Sequence, residues 1–216
     1  MGDLDLSRRA FERRYFTNEE SVFTNSEIEK ITEFIKEKPS LINYGILLAF
    51  QTGLRAGEIA ALQASDLKGD VLSVTKTEIR YKDAETREYH FEIRGFTKGS
   101  IGYRNVIMTE DAIKTFKALV RMNPFSEYIF EKDGTFIKSR AFSTKLYKIC
   151  EHVDIRRRSL HKARKTYGTK LLKAGVNEKL IESQMGHTDI STTKGFYFYD
   201  NTELEEAIEV IRNAIV

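Results

Sequence analysis

Between Val71 and Met108 the spacing of apolar residues switches from helical to strand-like and then back, and this interruption bounds what the chain can fold into. Before it, "TNSE" offers a capping box, with Thr24 at the N-cap and Glu27 at N3. Ile28, Ile31, Phe34 and Ile35 follow at helical spacing, and Pro39 closes that helix. A second apolar helix is expected over 41–51, broken by Gly53, and a third from "RAGEIAALQASDL", ending near Gly69. "VLSVTKTEIRY" and "TREYHFEIRGF" are rich in β-branched and aromatic residues and read as strands. "TKGSIGYRNVIM" places two glycines between strand-like ends, as a turn or hairpin would. Helix returns with Thr109 as cap, and continues over 139–151, 160–174, 177–185 and 203–215, punctuated by Gly175 and Gly186. The expected fold class is mainly α with a small antiparallel β-sheet. Residues 1–22 read as an arm or linker, 23–200 as one domain, and 201–216 as a C-terminal helix with an apolar stripe.

The chain of 216 residues is long enough to bury a core without covalent staples. No apolar run approaches the ~20 residues of a membrane span, and the first residues lack the apolar segment of a secretory signal. Cys150 stands alone, which excludes an intramolecular disulfide and favours a reducing compartment. No Cys/His cluster has zinc spacing, so no metal site is expected. The net charge of +3 decides little, but its distribution is uneven. "RRRSLHKARK", residues 156–165, holds six Arg/Lys, His161 and no acid, while acids gather at 27–37 and 203–209. Segregation of this kind can present a basic face to a polyanion, although solvated helix faces produce the same pattern.

Several residues could carry chemistry. Arg55 follows "TGL" and opens "AGEIAAL", setting a guanidinium at a helix start, where an anion is favoured. Glu58, one turn later, could orient Arg55 or be a solvated helix residue. His161 and Arg164 stand at i and i+3 and share a helix face, suited to proton transfer beside a charge clamp on a phosphoryl group. His187 follows Gly186 at a helix break, where a packing histidine is the common case. Lys98 sits in the glycine-containing hairpin, where an exposed lysine is ordinary. "HTDISTTKGFYFYD" ends in alternating aromatics that would leave a strand no polar face. It reads instead as a short capped helix followed by an aromatic cluster, either buried packing or a phenol held to react.

Singly, each feature has an unremarkable explanation. In this order, "TGLRAGEIAAL", "FTKGSIGYRNVIM", "SLHKARKTYGTKLL" and "QMGHTDISTTKGFYFY" resemble the tyrosine recombinase (integrase) family of phages, integrative elements and Xer-type resolvases. The resemblance runs from residue 52 to 199. It implies the tyrosine recombinase catalytic-domain fold over 23–200, acting on double-stranded DNA without metal or nucleotide cofactor. A tyrosine hydroxyl would attack the scissile phosphate, form a 3′-phosphotyrosine bond and release a 5′-hydroxyl. Arg55 and Arg164 would clamp the phosphate, Lys98 would protonate the leaving oxygen, His161 would assist proton transfer at the tyrosine, and His187 would hydrogen-bond the phosphate. The extra bases Lys162 and Lys165, with Arg104, Arg156, Arg157 and Arg158, would touch the DNA. The family further implies a tetramer on two duplexes, with the C-terminal helix docked on a neighbouring protomer, in the bacterial cytoplasm and associated with the nucleoid.

The chain departs from the family at the nucleophile. Many members place it nine residues after the Gly-His histidine, a slot that here holds Phe196. Some, notably integrases of Gram-positive mobile elements, carry it at the tenth, which makes Tyr197 the candidate. Phe196 as an altered tyrosine, and Tyr199 as nucleophile, are the alternatives. No room exists before Thr24 for the helical domain that embraces DNA in full-length members, so a catalytic fragment or a short inversion-type recombinase is expected. Two rival readings are a DNA-binding module without catalysis and a type IB topoisomerase-like relaxing enzyme.

Overall fold

The capping box at Thr24 is made: Glu27 N–H donates to the Thr24 hydroxyl at 3.2 Å, and Thr24 N–H to the Glu27 carboxylate at 2.8 Å. The structure, a computed structural model, describes residues 22–97, 100, 102–186 and 204–215. Helix α1 (Asn25–Glu37) buries Ile31, Phe34 and Ile35 along one face. Helix α2 (Leu41–Thr52) is buried almost all round and forms the axis of the domain. Gly45 makes that possible, because a Cβ there would stand 2.6 Å from Phe142 and 2.8 Å from Phe130. Helix α2 ends at Gly53, left-handed at φ 66°, whose N–H reaches the Ala49 carbonyl at 3.0 Å.

The third helix is shorter than the sequence suggests. Helix α3 (Ala56–Ala60) is followed by a 3₁₀ turn (Ala64–Asp66) and strand β1 (Leu67–Lys68), with no helix reaching Gly69. The cause is local competition. The Asp66 carboxylate accepts from Gln63 N–H at 2.8 Å and from Lys76 at 2.8 Å, stabilising a turn over another helical one. Leu62 turns its carbonyl to Ile129 N–H at 2.8 Å.

The stretch expected as one strand from Val71 is two, divided at Thr75. Strand β2 (Val71–Val74) lies between β1 and β5 (Arg104–Ile107) in an antiparallel three-stranded sheet. Strand β3 (Lys76–Lys82) pairs with β4 (Tyr89–Gly95) in a separate hairpin, register Lys76 to Gly95 through Lys82 to Tyr89. Helix α4 (Glu110–Met122) starts on Thr109, whose hydroxyl accepts from Ala112 N–H. A small hairpin, β6 (Glu131–Lys132) and β7 (Thr135–Phe136), was not foreseen. The fold class stands as expected, with three small antiparallel sheets among the described residues in place of one.

Helices α5 (Arg140–His152), α6 (Leu160–Lys173) and α7 (Glu178–Met185) follow within a residue or two of the expected spans. The main core gathers α1 to α6 around α2. A second cluster joins Ile107, Tyr167, Leu171, Val176, Ile181 and Met185 to Ile211 of the C-terminal helix α8 (Leu204–Ile215). Ile211 is fully buried and Ile208 and Ile215 are partly so. In this chain α8 therefore packs on its own domain, with Arg212 paired to Asp70.

Gly53 is the tightest joint of the core. A Cβ there would lie 2.5 Å from the Tyr167 ring, on a backbone that L side chains rarely adopt. Gly53→Ala is expected to cost about 2 kcal/mol or more, from left-handed strain plus overpacking. At roughly 2–4 °C per kcal/mol for a domain of this size, melting should drop by about 5 °C. A thermal scan showing no loss would contradict this account of the joint.

Candidate active site

Arg55 occupies the N-cap of α3, where its extended backbone (φ −73°, ψ 150°) turns the chain from Gly53 into the helix. The helix it opens has five residues, too short for its dipole to add much, so the attraction for an anion comes from the guanidinium itself. Arg55 Nη1 donates to Glu58 Oε1 at 2.8 Å and Nη2 donates to the Gly186 carbonyl at 2.5 Å. The side chain keeps 40% of its surface exposed, so solvent or a ligand reaches it.

Glu58 is an orienting residue, not a solvated one: its side chain is 0% exposed. Its carboxylate accepts four hydrogen bonds, from Arg55 N–H and Nη1 and from Arg104 Nη1 and Nη2, all between 2.8 and 2.9 Å. Burial alone would raise its pKa. Arg104 and then Arg55 outweigh that and hold the carboxyl below the usual value.

Arg164, on α6, is buried at 3% exposure and donates to the carbonyls of Gly53 and Met185. Burial first, and Arg55 next, push its pKa down to about 9, so it remains protonated at neutral pH. Both arginines thus converge on the end of α7, at the carbonyls of Met185 and of its cap Gly186, immediately before His187 in the sequence. His161 stands three residues before Arg164 on the exposed rim of α6. Partial desolvation, then the charges of Arg164, Lys162, Arg55 and Lys165, hold its pKa below the ordinary 6.5. His161 is accordingly neutral at pH 7 and able to accept a proton. Tyr167 lies near the same arginines but is 1% exposed, and burial holds its phenol above the usual range. It is closed off from any ligand approaching from solvent.

Two of the residues expected at the DNA are turned inward in this structure. Arg104 is 8% exposed and faces inward, paired with Glu58 and donating through Nε to the Gln184 carbonyl at 2.9 Å. Arg158 is also 8% exposed, pairs with Glu27 at 2.7 Å and lies over the Phe23 ring. Both are held by the interior, where a buried guanidinium needs a carboxylate partner. The alternation of β5 could have flagged Arg104, since Arg104 and Val106 share the inward face and Asn105 the outward one. Lys165, Arg156 and Arg157 are exposed, Lys162 is partly so, and Arg157 pairs with Glu151. Gln184, which the sequence reading overlooked, is 1% exposed and accepts from Ile107 N–H at 3.0 Å, tying α7 to β5. Lys98, His187 and Tyr197, with Phe196 and Tyr199, lie outside the described residues. Among the described residues no group of His, Cys, Asp or Glu could hold a metal ion, and no helix is long and apolar enough to cross a membrane.

The family model described as the phage integrase family matches residues 21–203. The chain belongs to that family. It is 27% identical over 199 residues to a tyrosine recombinase XerC-like protein of Caldanaerobacter subterraneus, covering 81% of this chain and 49% of that protein. It is equally 27% identical over 195 residues to the ICEBs1 integrase of Bacillus subtilis, covering 84% and 51%. The chain spans about half the length of the curated relatives it matches. The fold is similar to that of the Tn1549 transposon integrase solved with transposon right-end DNA, at TM-score 0.68, 20% identity and coverage of 89% and 65%. It is also similar to XerA recombinase, at TM-score 0.62, 18% identity and coverage of 80% and 58%.

Proposed function

We propose that this chain is the strand-cleaving and rejoining unit of a site-specific DNA recombinase. The observation that carries the reading is the convergence of Arg55 and Arg164, one exposed and one buried, beside a neutral His161 and next to the end of α7. Phosphoryl transfer needs positive charge around the equatorial oxygens and an in-line nucleophile. The two arginines supply forked donors for that charge. Tyr197 is the proposed nucleophile: its Oη attacks phosphorus, its proton passes to His161, and the P–O bond to the 5′-oxygen breaks as Lys98 protonates that oxygen. His187 hydrogen-bonds a non-bridging oxygen. The product is a 3′-phosphotyrosine and a 5′-hydroxyl, and the reverse attack by a partner 5′-hydroxyl rejoins the strand with no external energy source.

The proposed substrate is double-stranded DNA at a specific site, contacted by Lys162, Lys165, Arg156 and Arg157, with four protomers holding two duplexes. In that assembly α8 would leave its own cluster for that of a neighbour. The test is incubation with duplexes nicked beside a cleavage site, so that the released fragment diffuses away and traps the covalent adduct. A protein–DNA band stable to denaturation is expected. DNA binding with no band on any cleavable duplex would favour a module without catalysis. Supercoil relaxation with no joined product from two duplexes would favour a topoisomerase-like role.

The depressed pKa of His161 has a kinetic consequence. As proton acceptor it works only when neutral. Adduct formation should therefore hold level from pH 8 down past the ordinary histidine value of 6.5 and fall only below it. His161→Gln should lower the plateau and abolish that acid limb. An acid limb that survives in His161→Gln would assign the titration to another group.

A further inference from the structure

Glu58 raises a problem of charge. A carboxylate with no solvent exposure costs several kcal/mol unless a cation is fixed against it. If Arg55 were its only partner, the ion pair would consume the charge needed at the phosphate. Arg104 resolves this. Its guanidinium is 6% exposed and forks across both oxygens of Glu58, at 2.9 and 2.8 Å, while Nε holds the Gln184 carbonyl. The two charges cancel inside the protein. Arg55 and Arg164 are then left with two uncompensated positive charges. A phosphodiester carries one negative charge and acquires a second as a phenolate adds to it.

We infer that Arg104 is a positioning residue of the recombination site: by neutralising Glu58 it fixes the carboxylate that aims Arg55, and by binding Gln184 it seats the last turn of α7 beside both arginines. The inference rests on the proposed strand-transfer role of the site and replaces the expectation that Arg104 touches DNA. The geometry that supports it is independent of any ligand. Arg104 Nη1 also points at the Gly102 carbonyl at 3.4 Å, so four donors of one guanidinium are directed at three separate segments of the chain. A lysine offers one ammonium and no planar fork, and cannot reproduce this. Among the described residues the charged groups facing Glu58 are Arg55 from the α3 cap, Arg104 from β5 and Arg164 from α6.

The experiment compares the full chain with Arg104→Met, Arg104→Lys, Glu58→Gln and the Arg104→Met/Glu58→Gln double variant. Melting is followed without DNA from pH 4.5 to 8, alongside adduct formation on a nicked duplex and the salt dependence of DNA binding. In the parent chain Glu58 has a depressed pKa, so its contribution to stability is present at neutral pH and is lost on acidification through the folded value. In Arg104→Met burial raises that pKa, so the melting deficit relative to the parent should widen as the pH rises from 4.5 to 8. Glu58→Gln should suppress the deficit, leaving the double variant more stable at pH 7 than Arg104→Met. Adduct formation should fall about 100-fold in Arg104→Met, the scale of a misplaced clamp, and by less in Arg104→Lys. The slope of log K against log salt should not change.

A melting deficit that is independent of pH and untouched by Glu58→Gln would overturn the inference, as would an Arg104→Met that folds at no pH and is not rescued. A salt slope reduced by about 0.9 would make Arg104 a phosphate ligand instead. If the parent chain forms no adduct, the proposed function fails while the melting series still decides the role of Arg104.

Discussion

Tyr197→Phe should bind a nicked duplex as tightly as the parent chain and form no covalent adduct with it. The substitution deletes one oxygen and no charge, so the electrostatic attraction to phosphates is unaltered. The proposed nucleophile is gone, and the loss should be complete within detection, at least about 10³-fold. Peptide mapping of the parent adduct supplies the second readout, a nucleotide-bearing fragment that contains Tyr197. An adduct that persists in Tyr197→Phe, or a modified fragment carrying Tyr199 alone, would move the nucleophile. The Phe196→Tyr variant adds a useful contrast: if the ninth position after His187 is the better placed one, its adduct should map to residue 196.

Arg164→Lys should lower single-turnover adduct formation by about 10²–10³-fold, the usual effect of removing one donor from a transition-state clamp. The change keeps the charge, so DNA affinity should shift little. What it removes is the fork. Arg164 reaches Gly53 and Met185 at once through two nitrogens, whereas a lysine ammonium can be centred on only one of them. The residue is also buried, so melting should fall modestly, and the rate should be compared well below the new transition. A loss smaller than tenfold would mean that Arg164 serves the fold and not the phosphate.

The parts of the fold that were legible are those decided within a few residues. Thr24 and Glu27 cap each other, Gly53 and Gly186 are left-handed ends, and Thr109 starts its helix. The parts that were not are decided across the chain. Thr75 ends β2 because its carbonyl takes Phe96 N–H at 2.7 Å, a partner invisible in the local pattern. The hairpin then swings over α3, where Gly57 admits the Glu78 backbone: a Cβ would lie 2.8 Å from its carbonyl oxygen. The site divides the same way. Arg55, His161 and Arg164 could be found by their order along the chain. The inward turn of Arg158 could not, and that of Arg104 only through the alternation of β5, because charge clustering in a sequence does not say which bases already own a carboxylate in the interior. Glu58 needed that knowledge too.

The carbonyls that Arg55 and Arg164 hold have a consequence for how empty and occupied sites differ. A guanidinium buried like Arg164 would be costly with nothing to donate to, and Gly53 and Met185 act as resident ligands that keep it solvated by the protein itself. If the arginines act as proposed, a phosphate entering beside them is an incoming competitor for the Nη donors that these carbonyls hold. Where it takes a donor from one of these main-chain oxygens, its charge outbids a neutral carbonyl. In the proposed function the site would thus work by exchange: water and uncharged groups gain little by displacing the resident oxygens, whereas a charged phosphate gains.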